Sequence, residues 1–216
     1  MAFLAATIFP GCCNFRCPFC QNGDLVLHPG RVEQLAEEDV LKVLEKRRNV
    51  LTGVCITGGE PTLQPDLSRF LHKIKSLGYL IKLDTNGYLP QVIEDLCREN
   101  LLDYIAMDIK SSPEHYAQAA GLLGLQLDRI RRSVSWIRSC GLPYEFRTTV
   151  VKKLPRAEDL LSTRRWLEGP DADYLQSHRE SDGVISPVCR SFSHEALYRL
   201  HELPRTLYPP PSLLCV

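Results

Sequence analysis

The chain has no excess of charge of either sign, since 26 lysine and arginine residues balance 26 aspartate and glutamate residues. It therefore lacks the strongly basic character that usually accompanies binding to nucleic acid or to an anionic membrane. It also lacks an uninterrupted apolar run long enough to cross a bilayer. These absences predict that neither nucleic acid nor a membrane is the principal partner, so the substrate must be inferred from the site.

Cysteine is too sparse for a secreted domain that is held together by disulfides. Nine cysteines among 216 residues are well below the density of such domains. The N-terminal segment MAFLAATIF is apolar but short and has no basic stretch before it, so it is a poor secretory signal. It is better interpreted as a first, buried strand. We expect a soluble, cytoplasmic protein with reduced thiols.

Three of the cysteines are closely spaced in the segment GCCNFRCPFCQN. Cys13, Cys17 and Cys20 could hold three irons of a cubane iron–sulfur cluster and leave the fourth iron open to a substrate. A zinc site is the alternative, because tetrahedral zinc also binds closely spaced thiolates. Structural zinc needs a fourth ligand, and the next cysteine, Cys55, stands alone in an apolar run.

Strand and helix patterns alternate along the chain. Apolar residues at helical spacing predict helices over 37–48 and 67–77, and the run VCIT at 54–57 predicts a buried strand. Further strands are expected at LIKLD, YIAMD, YEFRTTVV and DYLQ. This order predicts the α/β class, a partial (β/α)6 TIM-like barrel with parallel strands, about six units compared with the eight of a full barrel.

No linker or low-complexity stretch divides the chain, which favours one core. We predict a partial-barrel domain over 1–180, followed over 181–216 by a C-terminal helix and a poorly ordered tail. The helix is expected at 193–203, and the prolines at 209–211 cannot continue regular structure.

Polar motifs follow the predicted strands. In parallel α/β folds the loops after the carboxyl ends of the strands form the ligand-binding face. Taken singly, each motif could be an ordinary turn or a solvated charge. Their shared position at strand ends indicates that they surround one cavity together with the cysteines. The motif residues are Gly58, Gly59, Glu60, Asp84, Asn86, Lys110 and Arg147.

The cysteine spacing and the Gly58–Glu60 turn resemble the radical S-adenosylmethionine (SAM) superfamily. More narrowly, the segments GCCNFRCPFCQN, ITGGEPTLQPDL, LDTNG, DYIAMDIK and LPYEFRTTVV resemble the activating enzymes of glycyl radical enzymes. The likeness is greatest to the activating proteins of anaerobic ribonucleoside-triphosphate reductase, and it runs from Ala5 to Gln176.

This resemblance implies a [4Fe-4S] cluster on Cys13, Cys17 and Cys20, with SAM chelating the unique iron. A low-potential cluster beside the sulfonium donates one electron and cleaves a carbon–sulfur bond, which yields methionine and a 5′-deoxyadenosyl radical. No side chain is assigned as a catalytic acid or base, because the radical itself removes hydrogen. The implied cofactor-binding residues are Phe19 at the adenine, Gly58, Gly59 and Glu60 at the methionine ammonium, Asp84 and Asn86 at the ribose, Lys110 and Arg147 at the carboxylate, and Asp108 and Gln176 as further pocket residues.

The resemblance also implies two partners. One is a glycyl radical enzyme, anaerobic ribonucleotide reductase, in which a backbone glycine loses hydrogen. The other is a low-potential electron donor such as flavodoxin or ferredoxin.

Two alternatives stay open: a radical SAM enzyme that acts on another peptide or small molecule, and a zinc-binding or degenerate non-catalytic module. Cys12 is interpreted as a residue that does not bind iron. Cys189 and Cys215 are too few and too far apart to specify an auxiliary cluster.

Overall fold

The structure, a computed structural model, describes residues 4–152, 157–167, 173–193, 195–196, 198 and 212–214. Within this part of the chain the strands are β1 (Ala5–Ile8), β2 (Gly53–Ile56), β3 (Leu80–Thr85), β4 (Tyr104–Asp108), β5 (Tyr144–Val150), β6 (Asp173–Ser177) and β7 (Ser212–Leu214). They follow chain order in one sheet. The pairs β1–β2, β2–β3, β5–β6 and β6–β7 are parallel.

Helices connect the strands, as parallel neighbours require a crossover. The α-helices are α1 (Gly23–Leu27), α2 (Glu37–Lys46), α3 (Leu67–Ser76), α4 (Pro90–Arg98), α5 (Tyr116–Ala119), α6 (Leu127–Ser139) and α7 (Ala157–Leu167). Short 3₁₀ turns lie at Pro29–Arg31 and Pro61–Leu63. The predicted α/β class of partial-barrel type is confirmed, and β7 adds a seventh described strand to the six that were predicted.

The chain divides into two compact units. Unit 1 comprises Met1–Asn14, Asp24–Ala106 and Arg129–Tyr144, and unit 2 comprises Phe15–Gly23, Met107–Asp128 and Glu145–Val216.

The core of unit 1 is formed by strand residues and by the apolar faces of helices. Ile56 of β2 and Ile81 of β3 are fully buried, and α3 buries Leu71 and Ile74 three positions apart, as helical periodicity requires. Gly78 follows α3 with φ +87°, a left-handed conformation that glycine adopts without steric cost. The residue types that predicted these elements are therefore also those that stabilise them.

The core of unit 2 includes a cluster from three elements. Val150 of β5, Leu160 of α7 and Leu175 of β6 are buried together, and the partly buried Phe192 packs against them. Because Phe192 lies well beyond the end of β6, this contact ties the segment after β6 to the body of unit 2.

The predicted strands are confirmed in position, but the expectation that the first one is buried is wrong. Ala5 and Thr7 of β1 are exposed, and Ala6 and Ile8 are only partly buried. β1 stands at the end of the sheet order, so only one of its sides is paired with another described strand. An edge position accounts for the exposure that an apolar sequence did not reveal.

The described C-terminal residues include a strand that was not predicted. Ser212–Leu214 pairs with β6 as the parallel strand β7, which the sequence analysis did not predict. The helix predicted at 193–203 lies mostly outside the described residues, and the division of the chain at residue 180 stays a prediction. No described helix is both long enough and apolar enough to span a membrane.

Candidate cofactor site

The structure distributes the predicted site residues over both units. Unit 1 holds Cys13, Gly58, Gly59, Glu60, Asp84 and Asn86. Unit 2 holds Cys17, Phe19, Cys20, Asp108, Lys110, Arg147 and Gln176.

The glycine turn of unit 1 lies directly against the backbone that leads into Cys13. A Cβ atom at Gly59 would lie 1.8 Å from the carbonyl oxygen of Cys12, and Gly58 has φ +108°. The Glu60 amide donates a hydrogen bond of 2.8 Å to that same carbonyl oxygen. Glycine is therefore required here for close backbone approach as well as for the turn.

The Glu60 carboxylate joins this turn to the end of β3. It is 1% exposed. Its Oε1 accepts hydrogen bonds from the Thr62 amide (3.1 Å), the Thr62 hydroxyl (2.5 Å) and the Thr85 hydroxyl (2.7 Å), and its Oε2 accepts one from the Asn86 amide (2.7 Å). Burial raises the pKa of Glu60, while these donors act in the opposite direction. Sequence reasoning missed both threonines, whose nearness to Glu60 depends on folding.

Glu60→Gln is expected to lower the free energy of unfolding by about 1–3 kcal/mol, because a buried amide would direct its own N–H donors at groups that already donate. Urea unfolding at neutral pH measures this loss. Glu33→Gln is the control, since Glu33 is exposed and its replacement should change stability by less than about 0.5 kcal/mol. Equal stability of wild type and Glu60→Gln would contradict the role given to this carboxylate.

Asn86 lies beside the first cysteine of the motif. Its Nδ2 donates to Asn14 Oδ1 at 2.7 Å and is 3.8 Å from Cys13 Sγ, while its Oδ1 accepts from the Tyr88 amide at 3.0 Å. The sequence did not reveal Asn14, whose buried Nδ2 has no hydrogen-bond partner among the described residues. Unit 1 thus presents a thiol next to one amide donor, Asn86 Nδ2, and donors of this kind orient metal ligands.

Asp84, the other residue predicted at the ribose, lies in β3 of the same unit. Its Oδ1 is 3.6 Å from Lys82 Nζ. Lys82 also lies over the ring of Tyr104, 5.3 Å from its centre. The side chain of Asp84 is mostly buried, with 13% exposed, at the end of the strand where the sequence predicted a polar group.

Unit 2 contains a carboxylate between two cations. Asp108 Oδ2 is 3.1 Å from Lys110 Nζ, and Asp108 Oδ1 is 3.1 Å from Arg147 Nε. Burial alone would raise the pKa of Asp108, but the two cations outweigh it and hold this pKa at about 2. Burial would lower the pKa of Lys110, yet Asp108 raises it well above its ordinary value. Arg147 also lies 3.8 Å from Glu145.

The cysteine loop, residues 15–23, brings Cys17 close to this charged group. Cys17 is 6% exposed, and its charge adds to the rise of the Lys110 pKa. The Cys20 amide donates to the Cys17 carbonyl oxygen at 3.0 Å, which forms a tight turn. A nearby cation favours the thiolate form that binds metals. This donor set suits an iron–sulfur cluster.

The other predicted residues of unit 2 are Phe19 in the cysteine loop and Gln176 in β6. Phe19 is 4% exposed, and Gln176 lies near the carboxyl end of β6, where it pairs in register with Thr149. Cys13, Cys17 and Cys20 form no disulfide bond with any described cysteine. Within the described part of the chain, no three His, Cys, Asp or Glu side chains form a group that could hold a single metal ion.

Parallel strands with helices between them, and with thiols and charged side chains near several strand ends, are typical of α/β enzymes that bind a cofactor. A family model for the radical SAM superfamily matches residues 7–167. The chain belongs to this superfamily, which implies a [4Fe-4S] cluster and SAM as cofactors. The resemblance stated from the cysteine and glycine motifs is confirmed at this level.

Two relatives from Methanocaldococcus jannaschii are named as glycyl-radical enzyme activating enzymes. One is 29% identical over 182 residues, which cover 82% of this chain and 74% of that protein. The other is 34% identical over 105 residues, which cover 48% of this chain and 38% of that protein. These relatives support the activating type but do not indicate closeness to the activating protein of anaerobic ribonucleotide reductase.

The crystal structure of Streptococcus suis SuiB bound to S-adenosylmethionine has a similar fold. The TM-score is 0.73 at 17% sequence identity, and the match covers 98% of this chain and 50% of SuiB. The chain thus spans about half the length of that protein, and the likeness shows the fold.

Proposed function

We propose that this chain is an activating enzyme that removes a hydrogen atom from a backbone glycine of a partner glycyl radical enzyme. The main support is the pair of relatives named for this activity, of which the first covers 82% of the chain. The further support is the set of five sequence segments that resemble the same group of enzymes. When bound, the cluster and SAM supply the radical chemistry.

We propose Cys13, Cys17 and Cys20 as the cluster ligands. Their spacing in the sequence supports this, and so do the local environments of two of them. Cys13 lies beside the side-chain amide of Asn86, and Cys17 is buried near Lys110. Hydrogen-bond donors and cations near the sulfurs stabilise thiolate ligands. Three protein ligands leave one iron available to SAM.

The remaining predicted residues are proposed to hold SAM. Asp108 fixes Lys110, which follows β4, and Arg147, which lies within β5, and fixed cations of this kind suit the methionine carboxylate. Gly58–Glu60 is proposed for the ammonium, with the turn backbone as the contacting group because the Glu60 oxygens already accept protein hydrogen bonds. The other assignments are Asp84 and Asn86 for the ribose, Phe19 for the adenine, and Gln176 as a pocket residue.

We infer that the partner is anaerobic ribonucleotide reductase, on the strength of the sequence segments alone, and that flavodoxin or ferredoxin supplies the electron. The substrate would then be a loop of a protein. No acid or base is needed on this chain, because a hydrogen atom is transferred to a carbon radical. The chain's own task is to orient SAM, exclude water and admit the loop.

Electron paramagnetic resonance tests the proposal. The anaerobically reconstituted chain, reduced and mixed with SAM and a candidate partner, should give the doublet of a glycine-centred radical. A partner with alanine in place of the reactive glycine is the control and should give no doublet. SAM cleavage without a doublet in any glycyl radical enzyme would contradict the proposal and favour a different peptide or a small-molecule substrate.

A further inference from the structure

A segment that follows β6 lies along the cysteine loop within unit 2. We call residues 179–186 the clamp. The Ile185 amide donates to the Cys20 carbonyl oxygen at 3.0 Å, and the Ser186 amide donates to the Pro18 carbonyl oxygen at 2.8 Å. Two successive amides of the clamp therefore bind the carbonyl oxygens of the third cysteine of the motif and of Pro18, the residue after the second cysteine.

Two glycines allow the clamp and the cysteine loop to meet at backbone distance. The Gly23 amide donates to the Gly183 carbonyl oxygen at 2.9 Å. A Cβ atom at Gly23 would lie 2.5 Å from that oxygen, and one at Gly183 would lie 2.8 Å from the Gln21 carbonyl oxygen. The Gln21 side chain adds a hydrogen bond of 2.9 Å to the Arg179 carbonyl oxygen. Neither glycine can gain a side chain without displacing backbone.

The clamp is itself anchored at both ends. Before it, the His178 amide donates to the Val150 carbonyl oxygen of β5 at 3.3 Å. After it, the Ser191 hydroxyl donates to the His178 carbonyl oxygen at 2.6 Å, and the Ser191 amide donates to Glu180 Oε1 at 2.9 Å. Phe192 then packs into the core. A segment held in this way can restrain the loop to which it is bound.

We propose that the clamp holds Cys17 and Cys20 in their metal-binding arrangement and so slows loss of the iron–sulfur cluster. This inference rests on the proposed function, because it takes these cysteines as cluster ligands. A ligand loop that is disordered without metal must be ordered again at each binding event, at a cost in conformational entropy. A loop already bound to a fixed segment avoids most of that cost, and its ligands recapture iron before it escapes.

Gly183→Ala tests the clamp in the full-length, reconstituted protein. Iron release to a ferrous chelator under anaerobic conditions should be roughly tenfold faster than in wild type, within the range known for groups that orient metal ligands. Gly124→Ala is the matched control in the same unit, because a Cβ atom there meets nothing within 4 Å. Its release rate should equal that of wild type. An unchanged release rate in Gly183→Ala overturns the clamp and leaves the proposed function intact.

A second variant and a measurement on the cluster-free protein distinguish loss of the clamp from misfolding as the cause of faster iron release. Gln21→Ala removes one hydrogen bond without adding an atom and should also accelerate iron release, by a smaller factor, while the thermal midpoint of the cluster-free protein stays the same. In cluster-free wild type, the amides of Ile185 and Ser186 should exchange slowly with deuterium. Rapid exchange there overturns the clamp whether or not the protein is active. Failure of wild type to bind iron and sulfide overturns the proposed function and the clamp together.

Discussion

Cys17→Ala is expected to abolish cluster binding, from about four irons and four sulfides per chain to nearly none, since two remaining thiolates cannot hold a cubane. Cys17 is the most informative of the three cysteines, because it is 6% exposed and lies near Lys110. A cation near the Cys17 sulfur stabilises the thiolate form that binds iron.

The measurement is iron and acid-labile sulfide per chain after anaerobic reconstitution, together with the visible absorbance of the cluster. Cys12→Ala provides the control. Cys12 is exposed, and its contacts with Leu25 and Glu60 are made by the backbone, so that variant should keep the full iron content. Full iron content in Cys17→Ala would remove this residue from the ligand set. One zinc and no sulfide in wild type would instead support the alternative of a zinc-binding module.

The parts of the fold that the sequence predicted well have short-range causes. The apolar spacing in α3 depends on neighbouring residues alone, and this helix was predicted. The strands before Gly58, Asp84 and Asp108 were recognised because apolar runs end there in polar motifs. The cysteine motif identified the superfamily, and the family match confirms it.

What the sequence did not reveal depends on contacts between distant segments. Thr85, which donates a hydrogen bond to Glu60, stands 25 positions away from it, and residue type alone does not indicate such a contact. The clamp meets the cysteine loop across 158 positions at the pair Gln21 and Arg179. Backbone hydrogen bonds of this kind leave a signal only in their glycines, and Gly183 had no motif to distinguish it.

Asp108→Asn is expected to lower the free energy of unfolding at neutral pH by about 2–4 kcal/mol, which is below the loss for a fully buried ion pair because 28% of the Asp108 side chain is exposed. The variant leaves Lys110 and Arg147, whose side chains are 15% and 14% exposed, without their shared carboxylate. Urea unfolding measures the change. Asp95→Asn is the control, because Asp95 pairs with Arg98 on the surface with 51% of its side chain exposed. Its replacement should cost less than about 1 kcal/mol.

The pH dependence separates this charge effect from a packing defect. The pKa of Asp108 is about 2 in the folded protein and 3.8 without the fold, so its carboxylate stabilises the folded state above pH 3.8. That contribution, worth roughly 2 kcal/mol, is lost as the pH falls from 3.8 toward 2. The difference in stability between wild type and Asp108→Asn should therefore shrink over this interval, whereas a cavity or steric defect would leave it constant. Adding Lys110→Met to Asp108→Asn should recover part of the loss, because a mostly buried cation that has lost its carboxylate partner is then removed.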